Sequence, residues 1–409
     1  MTSNRRTFLK TAAAAAGGLV IGFYLPDANE ADAEGANGKL NAYVQIGTDD
    51  TVTLYIHKAE MGQGTVTSLS MLLAEELECD WKKIRTEFPG VDPVAFGPMQ
   101  GVFGSMSIRT SWEPLRKAGA QACEMLVQAA AQKWNVPKSQ CRAENNTILN
   151  IKTNDRLSYG SLAEAASKLP VPQQNVALKD PTQFKLVGKS QKRMDTPAKV
   201  SGKTTFGIDV KVPGMLYAAL QRCPVFGGKP KSFDATKTKA VPGVKQVVKI
   251  SNGVAVLADN TWAAFEGRKA LSVEWDEGPL ASTSSAIIRK TFADLGEKTG
   301  AVARKEGDVA AALSGPAKRI EALYEVPYLS HAPMEPLNAV AHVRQDGCDV
   351  WSGMQIQSVA RQTAAMMSGL PPEKVQIHTV YLGGGFGRRG GADFVGEAVE
   401  ISKVAGVPV

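Results

Sequence analysis

Two glycine-rich loops and one glutamine are the places where residue type and spacing in this chain could support ligand chemistry. Gly383-Gly384-Gly385-Phe386-Gly387-Arg388-Arg389-Gly390-Gly391 lies between a strand pattern over residues 375–381 and a helix pattern over residues 393–404. Glycines permit positive φ and close backbone approach, and amides at a helix start attract anions. The loop is not a Walker A sequence, because no Gly-Lys-Ser/Thr follows, and its glycine spacing is not the Gly-x-Gly-x-x-Gly of dinucleotide-binding folds. Spacing alone leaves two readings open, an anion cradle and a flexible turn. Met61-Gly62-Gln63-Gly64 repeats the logic before a second helix pattern, where Gln63 could contact a ligand or cap the helix. Gln355 follows a strand pattern over residues 348–351, a usual place for ligand contact in α/β folds, although a surface amide is the plainer alternative.

Other chemistries lack their residues. His57, His331, His342 and His378 show no metal-ligand spacing and read as structural. No Gly-x-Ser-x-Gly elbow or Cys–His pair supports a hydrolase. Cys79, Cys123, Cys141, Cys223 and Cys348 are scattered, without a Cys-x-x-Cys. We therefore expect no structural zinc, covalent haem or iron–sulfur cluster in this chain.

The elements needed to position these loops are visible as periodicities. Residues 41–57 alternate around Gly47-Thr48-Asp49-Asp50 and predict a hairpin. Leu69, Leu72, Leu73 and Leu77 recur at helical spacing, and a long apolar stripe predicts a helix over 110–134. Residues 140–180 predict a short hairpin, a helix near 162–168 and a proline-rich linker. Short strands at 215–220, 244–250, 254–257 and 271–275, with a helix over 262–271, suggest a small α+β unit. A third region predicts strands at 339–343, 348–351 and 375–381 and helices over 357–368 and 393–404.

With 409 residues, 44% of them hydrophobic and 21% charged, the chain is globular in composition and long enough for two or three domains of roughly 150 residues. The formal net charge of +7 is local: residues 185–249 hold 14 basic and 3 acidic side chains, a surplus of eleven, and the remainder is net acidic by four. No nucleic-acid-binding motif accompanies it, so we expect a solvated basic face and no nucleic acid partner. At the amino terminus, Asn4-Arg5-Arg6-Thr7-Phe8-Leu9-Lys10 is a twin-arginine motif, followed by an apolar run over residues 11–25 and by Ala31-Asp32-Ala33. That order reads as a signal peptide for the route that exports folded proteins, leaving no transmembrane span after its removal. The alternative is an uncleaved anchor.

Together, in this order, the loops resemble the molybdenum hydroxylases of the xanthine oxidase and aldehyde oxidase type, and within them the large (beta) chains like that of isoquinoline 1-oxidoreductase. Asp195-Thr196-Pro197-Ala198-Lys199-Val200-Ser201-Gly202-Lys203, Pro213-Gly214-Met215-Leu216-Tyr217-Ala218, Pro242-Gly243-Val244 and Leu257-Ala258-Asp259-Asn260-Thr261-Trp262 resemble the family's α/β-hammerhead domain. His331 to Asn338, around Pro333-Met334-Glu335-Pro336, and Gly383 to Arg389 resemble the start of its cofactor-binding part. The Met-Gly-Gln-Gly segment precedes the hammerhead here, as in the permuted isoquinoline branch, and Arg388 also agrees with that branch.

The resemblance implies an α+β fold, an α/β-hammerhead domain plus parts of the molybdopterin-binding domains in permuted order. It divides the chain into a signal peptide (1–33), a first molybdopterin-binding segment (40–175), the hammerhead (185–280) and the beginning of a second molybdopterin-binding domain (315–409). It implies molybdenum held by molybdopterin, in the cytosine dinucleotide form, and a separate small [2Fe–2S] subunit as electron partner. Residue by residue, Gly62, Gln63 and Gly64 match the cofactor-contacting loop, and Gln355 matches the glutamine facing the metal. Gly384, Gly385, Phe386 and Gly387 match the loop around the metal, with Phe386 bordering the substrate; Gly104, Ser105 and Met106 match a further turn. The expected reaction is hydroxylation of an N-heterocycle or aldehyde by water-derived oxygen, in the periplasm. The family's glutamate base falls beyond Val409, so neither Glu335 nor Glu397 is assigned to it, and we read the chain as the amino-terminal part of a larger subunit, inactive alone. A non-catalytic exported remnant without cofactor is the alternative.

Overall fold

The computed structural model describes residues 19–23, 41–172 and 176–409. The twin-arginine motif and the Ala31-Asp32-Ala33 site lie outside the described residues. The chain is a mixed α and β structure in two compact units, one formed by residues up to Leu216 together with His331–Val409, the other by Tyr217–Ser330.

In the first unit, β1 (Leu19–Phe23), β2 (Asn41–Ile46), β3 (Val52–Tyr55) and β4 (Ile84–Glu87) form a four-stranded sheet. Asp49 accepts from the Thr51 amide in the β2–β3 turn, and β3 runs parallel to β4. Two helices, α1 (Thr65–Leu77) and α2 (Ser107–Trp134), pack against it. Leu69, Leu72, Leu73 and Leu77 join Val44, Ile46, Leu54, Leu115, Leu126 and Tyr159 in one buried cluster. Gly119 permits the close crossing of α1 and α2: a Cβ there would stand 2.5 Å from the Leu73 carbonyl oxygen. A hairpin-based sheet of β5 (Cys141–Glu144), β6 (Thr147–Asn150) and β7 (Arg156–Ser158) follows, then α3 (Tyr159–Ser167). Glu75 of α1 ties down the succeeding linker, accepting from the amides of Lys185, Leu186 and Val187 at 2.7–3.1 Å.

His57 is buried in this core, stacked on Phe96 at 5.9 Å and edge-on to Tyr43 at 5.4 Å. Its Nδ1 has no hydrogen-bond partner among the described residues. Burial first, then the neighbouring Lys58 charge, push its pKa down to about 3. The unfolded chain therefore takes up a proton near pH 6.5 that the folded chain refuses. Stability is complete above that pH and falls as pH drops towards 3, by at most about 1.4 kcal/mol per pH unit. Phenylalanine keeps the ring packing without the titration. Between pH 7 and pH 5 the native chain should lose roughly 2 kcal/mol more than His57→Phe in urea unfolding; equal losses would refute this assignment.

The second unit holds β8 (Tyr217–Arg222), β9 (Lys229–Asp234), β10 (Val244–Ile250), β11 (Gly253–Ala258), α4 (Thr261–Lys269) and β12 (Ser272–Asp276). Its antiparallel sheet has the order β10-β11-β8, with β11 buried at every position, and β12 pairs with β9. Beyond it, α5 (Ser285–Gly296) and α6 (Val309–Ser314) have no buried residues. The basic surplus of residues 185–249 is offset in part by acids outside that window. Lys185 pairs with Glu78, Arg193 with Glu60, Lys231 with Glu274 and Lys245 with Asp259.

The last part of the first unit contains β13 (Val340–Val343), β14 (Cys348–Ser352), α7 (Gln357–Ser368), β15 (Val375–Thr379) and α8 (Asp393–Ala405). The sheet order is β13-β14-β15, with β14 and β15 parallel. Val350, Ile377, Ala360, Ala364, Val395 and Val399 form its core. A parallel pair joined through α7 places Gln355 and the Gly383–Gly387 loop at the carboxyl ends of neighbouring strands, where such sheets present ligand sites. Among the described residues no helix is long and apolar enough to cross a membrane.

Candidate active site

Three loops distant in sequence meet at these strand ends. The Gln355 amide N–H donates to the Arg389 carbonyl at 3.0 Å, and the Gln355 carbonyl accepts from the Val102 amide at 2.7 Å. Its side chain is 4% exposed, so the surface-amide reading does not hold. Nε2 donates to the Val102 carbonyl at 3.2 Å and Oε1 accepts from the Gly387 amide at 2.9 Å. This leaves one N–H of Gln355 for another acceptor. Lys58, whose ammonium burial lowers in pKa, supports the same segment by donating to the Gly101 carbonyl at 3.1 Å.

The glycines are where backbone and side chain approach most closely. A Cβ on Gly385 would lie 2.7 Å from Gln355 Oε1 and 2.8 Å from Met61 Sδ, so this position brings all three loops into contact. Gly384 and Gly387 have φ of 93° and 94°. Phe386 is held at φ 52° with its ring over Gly384 and two-thirds exposed, a strained conformation of the kind that persists at functional sites. Two more non-glycine residues with positive φ flank the site in sequence, Ser105 and Ala332. The amides of Gly384, Gly385 and Phe386 donate to no acceptor among the described residues. The loop is therefore anchored, and presents a run of free donors, as an anion or oxo cradle requires.

The Gly62–Gly64 loop is built on Glu60, which is fully buried. Glu60 Oε1 accepts from the amides of Gly62 and Gly64 at 2.8 and 2.9 Å, and Oε2 from the Val66 amide and the Thr65 hydroxyl. Glu60 thus serves the free amides at the start of α1, and its own carbonyl accepts from Leu382 at 3.0 Å. Arg193 spans the loop, with Nη2 3.0 Å from Glu60 and Nη1 donating to the Gly62 carbonyl at 2.8 Å. Asp195 holds Arg193 from behind at 2.8–3.0 Å and receives Lys199 at 2.5 Å. Burial would raise the Asp195 carboxyl, but the hydrogen bonds from Arg193 and Lys199 outweigh it and keep it below the usual carboxylate range. Tyr381, beneath Lys199, is pushed up to about 12, mainly by burial.

Gln63 is exposed and folds onto its own loop, accepting from the Met61 amide at 2.7 Å and donating to the Ala59 carbonyl at 3.0 Å. It shapes the loop, while Glu60 does the capping. Gly62, Gln63, Gly64, Gln355, Gly384, Gly385, Phe386 and Gly387 thus belong to one group of converging loops. His331 lies at its rim, its Nε2 3.9 Å from where a Gly387 Cβ would stand. The other histidines are engaged elsewhere: His378 stacks on Trp351 at 4.6 Å and bonds Asp349, and His342 contacts Arg344. Among the described residues no cluster of His, Cys, Asp or Glu could ligate a metal directly. Glu60, Arg193, Glu335 and Arg389 were not singled out by sequence as site residues. Glu335 and Arg389 stood within the segments that carry the resemblance, Glu60 beside the Gly62–Gly64 loop, and Arg193 carried no signal beyond its charge.

Converging glycine loops at strand ends are suited to hold a cofactor, and comparison with known proteins names the class. Two molybdopterin cofactor-binding domain models match residues 6–212 and 294–409. The chain belongs to this molybdopterin-binding oxidoreductase family. The beta chain of isoquinoline 1-oxidoreductase from Brevundimonas diminuta is 31% identical over 90% of this chain and 53% of its own length. A membrane-bound aldehyde dehydrogenase of Gluconacetobacter polyoxogenes, named for pyrroloquinoline quinone, is 30% identical over 98% of this chain and 54% of its own. One of the subunits of nicotinate dehydrogenase from Pseudomonas putida is 27% identical over 91% and 32%. The chain thus spans about half the length of the first two relatives and a third of the last.

Proposed function

We propose that this chain contributes the molybdopterin-facing loops of a molybdenum hydroxylase large subunit acting on an N-heterocycle or an aldehyde. The observation that carries this reading is the contact of the Met61, Gln355 and Gly385 loops beside three free amides. The residues fit the group: glycine at 385 leaves room that any Cβ would fill, and the donors suit a pterin and an oxo-bearing metal held by sulfur rather than by protein. When bound, molybdopterin would supply molybdenum for inserting water-derived oxygen into a substrate C–H bond. Gly384, Gly385 and Phe386 would offer their amides, Gln355 its remaining N–H, and the Gly62–Gly64 loop would bracket the pterin side. Phe386 would border the substrate and exclude water from one face.

The finer features belong to the same proposal. The unit around β8–β12 would be the hammerhead, and the segment order would be the permuted one; the model of the family's second cofactor-binding domain matches residues 6–212, ahead of the model of the first at 294–409, which supports that order. The names of two relatives as subunits support a multi-subunit assembly, with a small [2Fe–2S] protein as the partner we propose. The cofactor form would be the cytosine dinucleotide, and export would follow from the Arg5-Arg6 motif. The test is cofactor analysis of the chain purified from a host that makes molybdopterin. We expect near-equal molybdenum, oxidised pterin and released cytidine monophosphate per chain. A chain carrying a quinone instead, or neither molybdenum nor pterin, would overturn the reading.

A further inference from the structure

We propose that the buried Glu335–Arg389 pair is a positioning lock that fixes both ends of the Gly383–Gly387 loop, and with them Gln355. Arg389 is fully buried and Glu335 nearly so. Such a pair is seldom retained for stability, since replacing a buried ion pair by apolar groups of similar volume is often neutral or stabilising. Its geometry gives a better reason.

At the start of the loop, Glu335 Oε2 accepts from the Gly383 amide at 2.8 Å, and the Glu335 amide donates to the Gly383 carbonyl at 3.1 Å. A Cβ on Gly383 would fall 2.3 Å from the Glu335 Cβ, so the two backbones are as close as they can be. At the end of the loop stands Arg389 itself. Its Nη2 meets the same Oε2 at 2.9 Å and the Glu335 carbonyl at 2.8 Å, and its Nη1 donates to the Gly353 carbonyl at 3.1 Å. The Arg389 carbonyl then receives the Gln355 amide at 3.0 Å. One carboxylate oxygen therefore joins Gly383 to Arg389, the residues that bracket the free amides of Gly384, Gly385 and Phe386. Oε1 is committed elsewhere, to the Ile208 amide at 3.1 Å and to Asn338 at 2.9 Å, which fixes the carboxylate plane. Burial lowers the Arg389 pKa and the Glu335 charge opposes the shift. Both residues act through the loop; neither is assigned contact with cofactor or substrate.

The lock rests on the proposed function only for its consequence, cofactor retention; its effect on the loop can be read in the chain without cofactor. Hydrogen exchange of the bonded loop amides, Gly383, Gly387 and Arg388, each compared with α7 as an internal reference, separates a lock from a merely structural pair. In Glu335→Ala, and in Glu335→Met combined with Arg389→Met, loop exchange should rise about tenfold or more relative to α7, the scale of one lost charge-assisted hydrogen bond. The double variant leaves no unpaired buried charge but orphans the Gly383 and Ile208 amides, so its thermal midpoint should fall, by less than that of Glu335→Ala. Glu335→Gln retains an acceptor oxygen and should restore loop protection to within a few-fold of the native chain. If the double variant does not fold, the Ala and Gln variants decide. Loosening of loop and α7 in equal measure, or no rescue by Gln, would overturn the lock. Where the native chain binds molybdenum, its content should fall in step with loop exchange. A native chain without molybdenum refutes the proposed function while leaving the exchange test to judge the lock.

Discussion

Glu60→Ala should destabilise the first unit by about 3–5 kcal/mol, the range for removing one partner of a buried, hydrogen-bonded charge pair. The carboxylate accepts from the amides of Gly62, Gly64 and Val66, from the Thr65 hydroxyl and from Arg193. Three amides at the start of α1 would lose their partner together. Gln63, which folds over the loop that Glu60 shapes, would lose its seat. Urea unfolding should show the drop, and protease digestion should cut first within residues 60–66. Glu60→Gln keeps one acceptor oxygen and should recover part of the loss. A variant with unchanged stability and loop protection would show that this carboxylate is not the foundation of the loop.

Gly385→Ala should have the opposite profile, with a small effect on stability and a large one on cofactor. The new Cβ would overlap Gln355 Oε1 and Met61 Sδ, so either the glutamine or the Met61 loop must withdraw. Overpacking of this kind costs about 1–3 kcal/mol. The displacement falls on the space assigned to the metal's surroundings, so molybdenum content should fall about tenfold or more, equivalent to one or two lost hydrogen bonds. Gly62→Ala is the useful contrast. Its φ is 110°, but nothing stands within 4 Å of its Cβ, so it tests backbone strain without collision. If both variants retain molybdenum equally, close packing at Gly385 does not shape the cradle.

These two sites also show what was legible in the sequence. The glycine loops stood out because close approach and positive φ leave glycine as the default residue. Helices with long apolar stripes were equally plain: α7 spans the residues that its periodicity marked, and α2 starts three residues early. The strand β9 was missed. Its sequence, Lys-Pro-Lys-Ser-Phe-Asp, has no apolar alternation, and it is a strand because β12 pairs with it. Strand membership there comes from the partner, which no local pattern records.

The buttresses of the site were illegible for a related reason. Glu60 and Arg193 are 133 positions apart, and Glu335 and Arg389 are 54 apart. A carboxylate in sequence looks like surface. Only the fold shows that it is buried and which amides it serves. Gln63 illustrates the converse. Its place at a helix start suggested a cap or a ligand contact; both ends of its amide bond its own loop, and the residue three positions earlier does the capping.

The central claim is that the loops around Gly62–Gly64, Gln355 and Gly384–Gly387 form one molybdopterin cradle. The most direct test is crystallographic, with data collected at the molybdenum absorption edge from the chain loaded with cofactor. The account predicts a single anomalous peak beside Gln355 and the amides of Gly384, Gly385 and Phe386. A peak elsewhere in the chain, or none in crystals whose chain contains molybdenum, would contradict it.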